Sequence, residues 1–233
     1  MNSMRKGVQK IFSEVARTYE LVNHILTFGL DILWRRKAAR LAARANGSLW
    51  LDVCSGTGEM ALNLTRVANE KVRIFSLDFC QPMISRALEK RNIPNLVFVL
   101  GDAGCLPFPD QIFDLITISF ATRNINPNRE VLLEHLREFY RVLRPGARFV
   151  NLETSQPSSK IIRKLFHLYI KLAVKHLGFL LSGSRAGYSY LAFTIPRFFS
   201  PEEFSSIIRQ AGFTRVSYEP LFLSVSAIHL AVK

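Results

Sequence analysis

Leu49-Trp50-Leu51-Asp52-Val53-Cys54-Ser55-Gly56-Thr57-Gly58-Glu59-Met60-Ala61 decides the fold. Residues 49–53 form a short apolar run of strand length, and the glycines that follow force a turn. A helix is predicted from about residue 59 to 67. The spacing Gly56-x-Gly58-x-x-Ala61 belongs between a strand and the helix it opens, where backbone N–H groups and the helix N-terminus face a ligand.

Outward from this stretch, strand and helix alternate. Strands are predicted at 72–77, 96–100, 113–120 and 147–153, with helices at 82–90 and 130–143. Arg144-Pro145-Gly146 stops the second of these helices. Residues 214–219 and 225–232 are joined too tightly to run parallel. The expected fold is α/β: a doubly wound, Rossmann-like sheet of about seven strands, mostly parallel with an antiparallel last strand, helices on both faces. Residues 8–44 read as helices broken at Leu26-Thr27-Phe28-Gly29-Leu30, an N-terminal helical cap. A helical insertion is expected at 158–181, a Gly/Ser loop at 182–187 and a short helix at 201–211. One domain of 233 residues then divides into cap (1–45), cofactor-binding half (46–155), insertion and lid (156–212) and C-terminal strand pair (213–233).

Composition narrows the function classes. Apolar residues at 48% and charged residues at 21% supply a core and leave no low-complexity segment. Thirty-one basic against 18 acidic residues give +13, which fits an anionic partner such as a membrane surface or nucleic acid, or serves solubility alone. Cys54, Cys80 and Cys105 form no CxxC pair, so no metal site is read and a reducing, cytoplasmic setting is expected. Residues 1–10 are polar and lack the apolar core of a signal peptide. The longest apolar candidate, 165–181, is interrupted by Lys171, Lys175 and His176, so nothing is expected to span a bilayer. Lys160, Lys164, Lys171 and Lys175 share one helical face. That makes either a basic amphipathic helix lying on an anionic membrane or a helix packed on the domain with a solvated edge.

Three carboxylates point to the ligand. A lone glycine pattern suits a dinucleotide equally well. Asp52 near the end of the first strand would repel a pyrophosphate and attract an ammonium. Asp78, about 20 residues beyond the glycines, is placed to accept ribose hydroxyls. Asp102 after the third strand is placed to accept an adenine amino group. Helix capping would explain one such residue; three at successive strand ends point to S-adenosyl-L-methionine.

Further stretches carry a resemblance. Phe12-Ser13-Glu14-Val15-Ala16-Arg17-Thr18-Tyr19 with Asn23, Phe28-Gly29-Leu30 and Trp34-Arg35-Arg36 are one. Gly101-Asp102-Ala103 with Leu106-Pro107-Phe108-Pro109-Asp110, and Thr117-Ile118-Ser119-Phe120-Ala121-Thr122-Arg123-Asn124, are others. With Tyr188-Ser189-Tyr190-Leu191 and Ala227-Ile228-His229 they resemble the quinone-biosynthesis C-methyltransferases, from residue 11 to 233. The resemblance implies transfer of a methyl group to a ring carbon of a prenylated quinol, either demethylmenaquinol or the benzoquinol precursor of ubiquinone. It implies cofactor contacts at Thr57, Asp78, Asp102, Ala103 and Ser119, which join Asp52, Gly56 and Gly58 of the glycine motif as expected cofactor positions, with Arg123 and Asn124 as the substrate-activating pair. Tyr188 and Tyr190 are expected to line the quinone site or to be core tyrosines, and Glu153, His24 and His229 stand as alternative bases. The chain departs from the family pattern at Glu59, at Ser184-Arg185-Ala186 and at Leu230-Ala231. Transient contact with an anionic membrane is expected, at the inner face, and no nucleic-acid partner. The tetrad that clamps an amine in many nucleic-acid methyltransferases is replaced by Ser119-Phe120-Ala121-Thr122, although an RNA or other small-molecule acceptor stays the alternative. A homodimer is compatible with the sequence and not required by it.

Overall fold

The computed structural model describes residues 3–90 and 93–233; Met1 and Asn2, the start of the polar N-terminal stretch, lie outside them. Three helices open the chain: α1 (Ser3–Val15), α2 (Tyr19–Leu26) and α3 (Leu30–Ala42). The break after α2 falls where the sequence predicts it, with Phe28 and Gly29 at positive φ. Then β1 (Leu49–Val53), α4 (Glu59–Thr65), β2 (Arg73–Asp78), α5 (Gln81–Lys90), β3 (Leu96–Leu100), β4 (Phe113–Ser119), α6 (Arg129–Val142) and β5 (Leu143–Thr154) follow, strand and helix alternating except between β3 and β4. The sheet order is β3-β2-β1-β4-β5, extended by β7 (Ser226–Val232) and β6 (Thr214–Leu221). Strands β1 to β5 pair in parallel, and β7 lies antiparallel between β5 and β6.

Period-two alternation sends strand side chains to two cores. Leu51, Val53, Ile116 and Ile118 face α6 and the later helix α10 (Pro201–Gln210), against Phe139, Phe204 and Ile208. Trp50, Ile74, Leu115 and Val150 face α3 and α4, against Ala38, Ala39, Met60 and Leu64. A third core lies in the cap, where Val22 and Leu26 of α2 meet Ile170, Val174, Tyr188 and Leu191 of the insertion.

The insertion differs from its predicted form. One continuous helix, Lys160–Ser182, comprises α7 (Lys160–Tyr169), a π-helical turn (Ile170–Val174) and α8 (Lys175–Ser182). By length and composition alone it could cross a bilayer, which the lysine interruptions argued against. The predicted Gly/Ser loop shrinks to two residues. Gly183 at φ +74 ends α8, and the Ser184 hydroxyl accepts the Gly187 amide to start α9 (Arg185–Thr194). A C-cap placed directly against an N-cap imitates a long loop in sequence. Likewise β5 starts at Leu143, not 147: Phe113 pairs with Leu143 and Leu115 with Arg148, so the Pro145-Gly146 segment bulges out of a strand already begun.

Candidate active site

The strand order reverses between β1 and β4, and a crevice opens there at the carboxyl ends of the strands. The turn after β1 is held to β2: the Ser55 amide donates to Leu77 O (3.0 Å) and the Gly56 amide to Asp78 Oδ2 (2.8 Å). Gly58 sits at φ +81, and a Cβ there would stand 3.2 Å from Ala87, so glycine alone lets α4 start this close to α5. Asp78 ends β2 and also accepts the Cys80 amide at 2.8 Å. Burial pushes its carboxyl up, and these amide donors work in the opposite direction.

A cavity of about 270 Å³ fills the crevice. Its wall includes Gly56, Thr57, Asp78, Asp102, Ala103 and Ser119, six of the eight expected cofactor positions, together with Asn124. Three polar atoms of residues on this wall, Arg35 Nε, Ser55 Oγ and Asn124 Oδ1, are buried without a protein partner. Buried polar atoms of this kind call for a ligand's hydrogen bonds. With the carboxylates of Asp78 and Asp102, they fit a polar nucleoside bearing an amino acid.

Asp52 does not fit its expected part. Its side chain follows the pleat toward α3 and α4 and is absent from the cavity wall. Oδ1 accepts from Thr117 Oγ1 at 2.6 Å, Oδ2 has no partner, and burial pushes the carboxyl up to about 7. Gly58 is likewise off the wall and acts through backbone geometry.

A second cavity, about 350 Å³, lies beside the first and is nearly all apolar: Leu26, Trp34, Phe166, Ile170 and Leu191 are among its lining. The two share Tyr19, Arg35 and Phe120. Arg123 lies in the wall of the apolar cavity with its side chain 6% exposed, and its Nη1 donates to Glu153 Oε1 at 2.5 Å. Burial opposes its charge, but Glu153 alongside raises the guanidinium pKa above its ordinary value. Glu153 also accepts the Arg123 amide, the Thr154 amide and the Thr154 hydroxyl. Those bonds leave it as an anchor for Arg123, not a free base. His229 is not a base either: it is buried beside Phe204, donates through Nε2 to Pro201 O (3.0 Å), and burial pushes it down to about 4.

For the two tyrosines the sequence left a place in the quinone site or in the core open. Neither Tyr188 nor Tyr190 lines the two large cavities; both border a void of about 10 Å³ beside α1. Tyr188 is 1% exposed, its ring filling the space over Gly178, so it is a core residue. Tyr190 is close enough to Arg123 and Glu153 to feel both charges.

The ubiE/COQ5 methyltransferase family model matches residues 1–233. The chain belongs to that family. A demethylmenaquinone methyltransferase of Thermotoga maritima is 37% identical over 97% of this chain and 96% of its own length. A ubiquinone/menaquinone biosynthesis C-methyltransferase of Rickettsia bellii is 34% identical over 100% of this chain and 94% of its own. Among solved structures, a SAM-dependent methyltransferase of Thermotoga maritima described as a possible histamine N-methyltransferase shares the fold, with TM-score 0.67 at 18% identity, covering 97% of this chain and 99% of its own. This ubiE/COQ5 family member is therefore a C-methyltransferase dependent on S-adenosylmethionine.

Sequence reasoning missed Arg35 and Phe120 as site residues. Asp31, Arg35, Ala38, Ala39 and Ala42 form one buried stripe on α3 whose first two members are charged. Charge at the start of a buried stripe was the available signal. Phe120, at φ +53, turns the chain out of β4 and puts its ring between the two cavities.

Proposed function

We propose that this enzyme methylates a ring carbon of a prenylated quinol, demethylmenaquinol or the benzoquinol precursor of ubiquinone. The observation that carries this is the junction of a polar cavity with an apolar one at Tyr19, Arg35 and Phe120, with Arg123 buried in the apolar wall. S-Adenosylmethionine, held by Gly56, Thr57, Asp78, Asp102, Ala103 and Ser119, supplies an electrophilic methyl group.

A quinol ring carbon becomes a strong nucleophile when the neighbouring hydroxyl loses its proton. Arg123 stabilises that quinolate: its charge is fixed, poorly solvated and tied down by Glu153, so little reorganisation is needed. Asn124, one residue on in the same turn, has a free Oδ1 to orient a hydroxyl or ammonium group at the junction. Arg123→Ala lowers kcat by about 10²–10³ while leaving S-adenosylhomocysteine affinity within about threefold. Unchanged turnover, or a parallel loss of cofactor binding, would contradict the assignment.

The enzyme meets its substrate at a membrane. Ile161, Leu165, Leu168 and Leu172 are each more than half exposed on Lys160–Ser182, beside the face bearing Lys160, Lys164, Lys171 and Lys175. Phe28, Leu165, Phe222 and Leu223 are exposed and also belong to the lining of the apolar cavity, so its mouth is an apolar rim. An apolar stripe bordered by lysines lies naturally in an anionic interface, with the prenyl tail entering through the rim. The three free cysteines suit a cytoplasmic face. In sedimentation, the protein pellets with anionic but not neutral liposomes, and Lys164→Glu with Lys171→Glu abolishes pelleting. Equal recovery in the supernatant with both lipids would sink the membrane contact.

A further inference from the structure

An amino-acid tail brings one cation and one anion into a cavity, and each needs a partner of opposite sign once buried. The polar cavity is well supplied with carboxylates: Glu59, Asp78, Asp102 and Glu134 all belong to its wall. Among the described residues lining it, only one group is permanently positive, Arg35. Arg123, the other buried guanidinium, lines only the apolar cavity, whereas Arg35 lies in the wall of both.

Arg35 is 5% exposed and built in from several sides. It rises from α3 one turn after Asp31, to which Nη1 donates, and its Cζ lies 5.0 Å from the Phe120 ring centroid. Nε is buried with no protein partner. A guanidinium offers five donors, so after the Asp31 contact it retains a fork matched to a carboxylate. Asp31 is itself fixed: Thr27 Oγ1 donates to its Oδ1 at 2.7 Å, and His24 Nδ1 lies 2.9 Å from its Oδ2. Burial pushes the Asp31 carboxyl up, but Arg35, Thr27 and His24 together hold it below its ordinary value, so it is an anion at working pH.

We propose that Arg35 binds the methionine carboxylate of the cofactor, and that Asp31, braced by Thr27 and His24, is a positioning residue that aims the guanidinium at the junction of the two cavities. The inference rests on the cofactor assignment and not on the identity of the quinol. One end of the cofactor is thereby pinned beside the wall it shares with the acceptor.

The test is calorimetric and uses three ligands on the full chain: S-adenosylhomocysteine, its decarboxylated counterpart, and 5′-methylthioadenosine, which lacks the amino-acid group altogether. Arg35→Met is expected to weaken S-adenosylhomocysteine by about 10- to 100-fold, the worth of a charge-assisted contact, and the other two ligands by less than about threefold. Asp31→Asn should show the same pattern with a smaller loss. Equal weakening of all three ligands would overturn the proposal, because it would mean a structural role. Unchanged S-adenosylhomocysteine binding with a raised KM for the acceptor would overturn it too, by assigning Arg35 to the apolar cavity. Should Arg35→Met not fold, Arg35→Lys, which keeps the charge and loses the fork, is read against the same three ligands with the same selective loss expected.

Discussion

Asp52 shows how one side chain in a cofactor motif can serve stability in an unexpected direction. Burial favours its neutral form, with a pKa of about 7 in the folded chain against an ordinary 3.8. Below the ordinary value both folded and unfolded chains are protonated, and nothing is lost. As pH rises toward 7 the unfolded chain gives up this proton while the folded chain keeps it, so stability falls across that window and levels off above it. Asn keeps an acceptor for Thr117 and carries no charge. The melting temperature of Asp52→Asn should therefore match wild type near pH 4 and exceed it by several degrees above pH 7. A constant difference across that range would mean that Asp52 is ionised throughout. Tyr188 offers a simpler check at this scale. Since its ring is core and off both cavity walls, Tyr188→Phe should leave KM for the acceptor unchanged, and a clear rise in KM would return it to the substrate site.

Among the elements, the insertion decides how the apolar cavity is closed. Helix α8 passes close over α9 because Gly178 has no side chain: a Cβ there would stand 2.1 Å from Tyr188 Cδ1. Gly178→Val should cost about 1–3 kcal/mol or more through overpacking, read as a lower melting temperature. A neutral outcome would mean the helix pair separates at little cost. Most of the strands were legible as short apolar runs near Gly, Pro or Asp, while β6, mostly polar and exposed, was legible from its tight connection to β7. Helix α9 was not, since Ser182-Gly183-Ser184 holds the end of one helix and the start of the next. The places of Asp78 and Asp102 on the polar cavity wall were legible from their positions after strands. Asp52 misled because its side chain follows the pleat toward a sheet face and not the strand's end. Arg35 was hidden because a buried helical stripe reads as core until the third dimension shows what its first turn faces.

For the whole molecule, charge and apolar exposure coincide. The net +13 includes the lysine face of Lys160–Ser182, which flanks an exposed apolar stripe and the mouth of the apolar cavity. The polar and apolar cavities meet at the switch point where a parallel sheet opens. Two buried guanidiniums stand there, Arg35 in the wall that both cavities share and Arg123 in the apolar cavity, each held by a carboxylate of its own, Asp31 and Glu153. In the proposed reading, one cation serves the cofactor and the other the acceptor oxygen.

The central claim is methyl transfer to a quinol carbon at this junction. The most direct measurement incubates the purified protein, with liposomes, methyl-labelled S-adenosylmethionine and either a demethylmenaquinol or a demethylated benzoquinol. Label in the lipid product is then followed and located on the ring. A new carbon-bound methyl is expected on one or both quinols, lost in Arg123→Ala. Label on neither quinol, with cofactor binding intact, would contradict it and turn the search to an RNA or another small-molecule acceptor.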